Sequence, residues 1–312
     1  MLRAQGLSLG QMAVGLKRHK STISRELRRN RAGPYNAYGA ANADRRARQR
    51  KRQAGRRPRL KKQCIRTYVH AKLRLGWSPE LIAGRLPIRY PGLHISAEAI
   101  YQYVYLPNIR RQENLVPCLV RAHKRRQLKG HRHTHRDLHI PGRVSIRHRP
   151  TYVHSRKQLG HWENDGALAR RSVSALNVLV ERKTRLTKIT KLKGRTARAT
   201  RCAITRILSH YPKHARRSIT YDNGSENIEH REANTVLGTK SYFTEPYRSW
   251  QKGTVENTIG LIRRVLPKKT NFDCVSDRQI KTLERHLNNR PRKCLNFRTP
   301  LERFRHSVAL TH

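Results

Sequence analysis

Gly160-His161-Trp162-Glu163-Asn164-Asp165-Gly166-Ala167-Leu168-Ala169 opens the part of the chain in which strands replace helices. From Trp162 to Ala169 the stretch reads as a strand, and two more follow, Ala175 to Glu181 and Leu186 to Leu192. The middle one is rich in apolar residues (Leu176, Val178, Leu179, Val180). Thr196 to His210 then reads as a helix through Ala199, Cys202, Ala203, Ile204 and Ile207. Ser218 to Asp222 is a short strand running into the turn sequence Asp222-Asn223-Gly224. Gly253 to Leu266 carries Val255, Ile259, Ile262 and Leu266 at helical spacing. Three antiparallel strands, a helix, a strand and further helices predict an α/β fold of the ribonuclease H type, a mixed sheet flanked by helices.

Acidic residues are scarce, 19 Asp and Glu against 70 Lys and Arg, for a net charge of +51. Those placed in apolar elements therefore need a reason. Asp165 falls mid-strand, Asp222 at a strand end, and Glu256 on a helix beside its apolar stripe. A carboxylate near a core is costly unless it is paired or bound to metal. For any one of the three, pairing with arginine is an equal alternative. Together they suit hard divalent cations, which take carboxylate oxygens, water and substrate phosphate. Two such ions can stabilise both the attacking and the leaving oxygen of a phosphoryl displacement.

The charge itself implies a polyanionic partner, because neutralised phosphates release condensed counterions. Upstream of the strands lies a helical module. Ser8-Leu9-Gly10-Gln11 fits a capping box, and Leu9, Met12, Ala13 and Leu16 form one stripe predicted to be buried. After Lys17-Arg18-His19-Lys20 a second helix runs from about Ser21 to Arg29, with Ile23 and Leu27 inward. Ser21, Thr22, Ser24, Arg25, Arg28 and Arg29 are left to face outward, as in a helix-turn-helix that reads the major groove of double-stranded DNA. From Arg45 to Lys62, 11 of 18 residues are Lys or Arg and none is acidic. That block reads as a linker or arm that gains affinity from phosphates without reading sequence. Ser78-Pro79-Glu80 and Ser96 start two further helices, a second helix-turn-helix-like pair. His123, His131, His133, His135 and His139 fall in a basic tract, read as a phosphate-binding linker because no thiol joins them in a zinc site. The predicted organisation is a helix-turn-helix at 1–31, a basic linker at 32–65, a helical module at 66–110, a histidine-rich linker at 111–149 and a catalytic domain at 150–308.

Cys64, Cys118, Cys202, Cys274 and Cys294 lie far apart with no Cys-x-x-Cys pair, which suits reduced thiols acting as packing residues. No run approaches the roughly 18–20 apolar residues of a membrane span. The N-terminus has no signal-peptide pattern, so a cytoplasmic, nucleoid-associated place is expected.

The chain resembles bacterial transposases of the DDE class, specifically the insertion-sequence family numbered thirty. The resemblance rests on Ser21-Thr22-Ile23-Ser24-Arg25-Glu26, Gly160 to Asp165, Tyr221-Asp222-Asn223-Gly224-Ser225-Glu226, Pro246 to Asn257, and Leu287 to Arg292 with Thr299-Pro300. Between Asp222 and Glu256 lie 33 residues, the separation that family shows. It implies a catalytic and metal-binding triad of Asp165, Asp222 and Glu256, two Mg²⁺ or Mn²⁺ ions, and binding to terminal inverted repeats. A homodimer or larger assembly on DNA is expected, since a mobile element has two ends and each chain supplies one triad. That family usually has a helix upstream of the position of Met1, so the chain is expected to start internally or to be shortened. It usually carries Gly where Lys17 stands and a large aliphatic residue where Gly166 stands. The rival readings are a transposase-derived DNA-binding regulator without catalysis and a related nuclease or integrase acting on other nucleic acid.

Overall fold

The computed structural model describes residues 5–30, 38–55, 60–119, 140–169, 172–246 and 248–309. The predicted histidine-rich tract lies outside them. The chain divides into two compact units, residues 1–63 and 64–312.

In the first unit, α1 (Leu9–Gly15) starts on the predicted capping box, with the Ser8 hydroxyl accepting from the Gln11 amide. α2 (Lys20–Asn30) packs on it through Met12, Ala13, Ile23 and Leu27. Leu16, expected in the same stripe, is half exposed, because the helix has already ended at Gly15. Lys17 turns the chain with φ 50, the left-handed conformation that glycine adopts most easily. The basic block, read as an arm, is largely a helix: α3 spans Ala40–Gly55. Alanine, arginine, lysine and glutamine are all good helix formers. Ala43 is buried, and Arg50 donates to the buried Asn30 side chain at 2.8 Å, which ties α3 to α2.

The second unit begins with α4 (Gln63–Arg74), α5 (Pro79–Arg89), α6 (Ala97–Val104) and α7 (Pro107–Glu113). Ser78 and Ser96 cap α5 and α6 as expected. These helices belong to the same compact unit as the strands that follow. Arg85 pairs with Glu302 and donates to the Phe297 carbonyl, and the Phe297 ring lies against Gly84, where a Cβ would stand 2.5 Å from it.

Five strands follow: β1 (His161–Leu168), β2 (Ala175–Glu181), β3 (Thr187–Leu192), β4 (Ser218–Tyr221) and β5 (Lys240–Phe243). Their order is β3-β2-β1-β4-β5, antiparallel from β3 to β1 and parallel from β1 to β5, the ribonuclease H-like arrangement. Both faces are covered, so every residue of β2 is buried. On one face Trp162, Leu179, Ile219 and Phe243 meet α8 (Ala197–Leu208), α9 (His230–Leu237) and Phe304 of α12 (Pro300–Ala309). On the other, Leu176, Val178, Val180 and Ile189 meet α10 (Gly253–Val265) and α11 (Asp277–Asn288). α11 also caps the open edge of β3. Glu284 accepts from the Ile189 amide and Asn288 from the Thr187 amide, both at 2.8 Å, which satisfies edge donors that otherwise invite pairing.

The cysteines are not core residues. Cys64, Cys202, Cys274 and Cys294 are exposed and Cys118 is half-buried. Cys202 lies on the outer side of α8, where Ala203 and Ile204 take the buried side.

Candidate active site

The registration of β1 on β4 decides which carboxylates meet. The two strands run parallel, with His161 beside Ser218 and Glu163 beside Thr220. Asp165 and Asp222 each stand two residues further along, so parallel pairing delivers both to the same end of adjacent strands. The start of the motif fixes that registration. Gly160 has φ 96, and a Cβ there would meet the His214 carbonyl at 2.6 Å, so only glycine fits. The His161 ring is within 2.7 Å of the Ser218 hydroxyl, and the Trp162 indole donates to the Ala215 carbonyl at 2.9 Å. Gly160, His161 and Trp162 are thus the stitching that aligns the carboxylates.

Between Asp165 and Asp222 sits the ammonium of Lys252, 3.4 Å from a carboxylate oxygen of each. It also donates to the Asn164 carbonyl at 3.1 Å, and its side chain is only 3% exposed. Burial pushes the Asp165 carboxyl up to about 6; Lys252 pulls it down, and the charge of Asp222 adds to the rise. Asp222 is held from the other side by the Asn227 amide at 2.8 Å. A cavity of about 180 Å³ beside the pair is lined by Asp165, Asp222, Glu226 and Arg195 among others. Glu256 is half-buried in the first turn of α10, four residues after Lys252, and is not among the residues lining that cavity. Among the described residues, no three His, Cys, Asp or Glu side chains gather closely enough to hold a metal ion.

A second carboxylate on the same face of β1 orients this helix. Glu163 is fully buried, and one of its oxygens accepts from the amides of Thr254 and Val255, both at 2.9 Å. It thereby caps the N-terminus of α10, where the helix dipole favours negative charge. Its other oxygen lies 3.1 Å from Nε of the buried Arg182. Arg149 reaches the same buried region, and burial first, then Arg182 beside it, brings its guanidinium down to about 10.

On α2 of the first unit, Thr22, Ser24, Arg25, Arg28 and Arg29 are exposed along one face, as expected. Ser21 is half-buried, and its hydroxyl is 2.8 Å from the His19 ring, so it helps to close the start of the helix.

The family described as a helix-turn-helix domain matches residues 1–30. The transposase InsI of insertion sequence element IS30A from Escherichia coli K12 is 37% identical over 315 residues, which cover 98% of this chain and 80% of that one. The transposase of element IS1086 from Cupriavidus metallidurans is 36% identical, covering 96% and 89%. This chain belongs to the IS30 family of transposases. It is an enzyme of the polynucleotidyl-transferase type that binds DNA, with a helix-turn-helix domain at residues 1–30. The transposase of element IS4351 from Bacteroides fragilis is similar at 36% identity over 95% of this chain. The catalytic core domain of BIV integrase aligns with 48% of the transposase at 19% identity and a TM-score of 0.38. No helix among the described residues of the transposase is long and apolar enough to cross a membrane.

Sequence reading of this transposase names Asp165, Asp222 and Glu256; the structure brings the first two together and leaves Glu256 on the first turn of α10, outside the cavity beside them. Sequence reading does not single out Lys252 or Glu163. One more lysine among 70 basic residues carries no signal in sequence, and only its burial between two carboxylates distinguishes it. Glu163 does carry a signal, because an acid alternating with Asp165 on a strand shares its face.

Proposed function

We propose that this transposase binds the terminal inverted repeats of an insertion element and cuts and joins DNA strands by metal-dependent phosphoryl transfer at Asp165, Asp222 and Glu256. The observation that carries the reading is the convergence of Asp165 and Asp222, from adjacent parallel strands, on one enclosed positive charge. The donor set suits a hard cation: two carboxylates meet at a point where a positive charge is already required. Asp165 and Asp222 would hold Mg²⁺ or Mn²⁺, with Glu256 as the third protein ligand from the first turn of α10. When bound, two such ions lower the barrier by stabilising charge on the attacking and leaving oxygens.

The chain's own residues do the rest. Asn227 holds Asp222 in one rotamer, and the Gly166 amide donates to Asp165 at 2.8 Å. Glu163 fixes the height of α10 against β1, and so the height of Glu256 relative to Asp165. Lys252 keeps the two carboxylates together by supplying the charge that a divalent ion brings. Thr22, Ser24, Arg25, Arg28 and Arg29, with Ser21 at the helix start, face the major groove. The active species is a homodimer or larger on two DNA ends, acting on the cell's own DNA at the nucleoid.

Asp165→Asn, Asp222→Asn and Glu256→Gln test the site in a strand-joining assay on duplexes ending in the element's repeats. Each is expected to lower the rate by orders of magnitude with DNA affinity kept, whereas Glu226→Gln retains more activity than Glu256→Gln. Full activity in excess EDTA would overturn the metal reading. Near-normal rates in a triad variant would remove that residue from the site.

A further inference from the structure

Beside the first turns of α10 lies a second cavity, of about 240 Å³, and this one is cationic. Arg156, Arg185 and Arg292 line it together with Thr254, Asn257 and Thr258, and no Asp or Glu is among its lining residues. Arg185 extends from the β2–β3 turn and donates to the Thr254 hydroxyl at 2.8 Å, which leaves that hydroxyl's own proton to give. Arg292, from the segment after α11, has Nε and Nη2 buried without an acceptor. Burial, and then Arg185 and Arg264 beside it, bring the Arg292 guanidinium down to about 10, so it is charged at neutral pH. The pull of the cavity does not come from the helix end, whose Thr254 and Val255 amides are already taken by Glu163.

Like charges crowded around a cavity, with buried donors unmet, are costly until an anion enters. Guanidinium groups match tetrahedral oxyanions in a two-pronged geometry that lysine cannot offer. We propose that Arg156, Arg185 and Arg292 form a phosphate site that holds a backbone phosphodiester of the DNA strand lying across the catalytic face. The assignment rests on the catalytic reading above: Thr254, which lines the cavity, stands two residues after Lys252 and two before Glu256 on the same turn of α10. Such an interaction reads no bases; it fixes the position of the strand.

The test uses the full chain, Arg292→Gln, and Arg156→Gln, whose exposed side chain can be replaced without disturbing packing. Thermal melting in sodium phosphate is compared with sodium chloride of equal ionic strength, and affinity for a random-sequence duplex is measured against salt. The unaltered chain is expected to melt a few degrees higher in phosphate, and both variants to lose that difference. Each variant should also flatten the slope of log K against log salt by about 0.9 for each DNA phosphate it no longer neutralises. A phosphate response equal in all three proteins overturns the site. Loss of that response with an unchanged DNA slope means the cavity takes free phosphate, and overturns the assignment to DNA. Asp222→Asn, assayed alongside for strand joining, separates the two readings: undiminished joining there refutes the catalytic site while leaving the phosphate result to stand or fall by its own slope.

Discussion

Replacing Lys252 with methionine keeps the length of the side chain and removes the charge that Asp165 and Asp222 share. Each ion pair, at 3.4 Å, carries about 1 kcal/mol at the dielectric of water and about 5 kcal/mol at an effective dielectric of 20. Asp222 is 39% exposed, so its share lies nearer the lower figure, and the desolvation of the ammonium offsets part of the rest. A net value of roughly 1.5–3 kcal/mol remains. A divalent ion entering between the carboxylates must overcome this in the native chain and not in the variant. Lys252→Met is therefore expected to bind Mn²⁺ about 10- to 150-fold more tightly by calorimetric titration, with Asp222→Asn as the control that loses binding. In EDTA the same variant should melt about 4–8 °C lower for a loss of roughly 2 kcal/mol in a unit of this size. Mn²⁺ binding that is unchanged or weaker in Lys252→Met would refute the view that this ammonium and the metal compete for the same carboxylates.

Further outcomes follow from the same geometry. With its carboxyl raised to about 6, Asp165 is protonated as the pH falls through that value, so metal must displace a proton there; Mn²⁺ affinity should weaken about tenfold between pH 7 and pH 5, read by titration at each pH. Glu163→Gln leaves Arg182 buried without its counter-charge, and a loss of about 3–5 kcal/mol, or about 6–20 °C in melting temperature, is expected; a variant that melts normally argues against the staple between β1 and α10. Arg25→Ala should narrow the gap between repeat-end and random duplex by about 1–3 kcal/mol in competitive binding, whereas an equal loss on both DNAs means that Arg25 touches only phosphate.

Much of the fold is legible in the sequence because its signals are local. The apolar run of β2, the caps at Ser8, Ser78 and Ser96, and the stripe of α10 each depend on neighbours a few residues away, so spacing reveals them. β5 and α9 do not stand out individually. β5 has four residues and starts with an exposed lysine, too short for a period, and its place depends on pairing with β4. The basic block after Ala40 reads as an arm when charge repulsion is weighed alone; helix propensity and the burial of Ala43 prevail over that repulsion and make it a helix.

For the site, the sequence by itself marked Asp165, Asp222 and Glu256 as candidates, acids in apolar elements of a chain of net charge +51. It determined the exposed face of α2 as well, since the helical period separates Ile23 and Leu27 from the residues between them. Only the tertiary structure decided that Asp165 and Asp222 are neighbours. That follows from the parallel register of β1 on β4, fixed by a glycine against a carbonyl and a histidine against a serine far apart in sequence. It alone decided the role of Lys252 and Glu163. Lys252 is one basic residue among 70, and Glu163 shows in the sequence only as an acid alternating with Asp165; what sets both apart is burial beside opposite charge, which exists only once sheet and helix have packed.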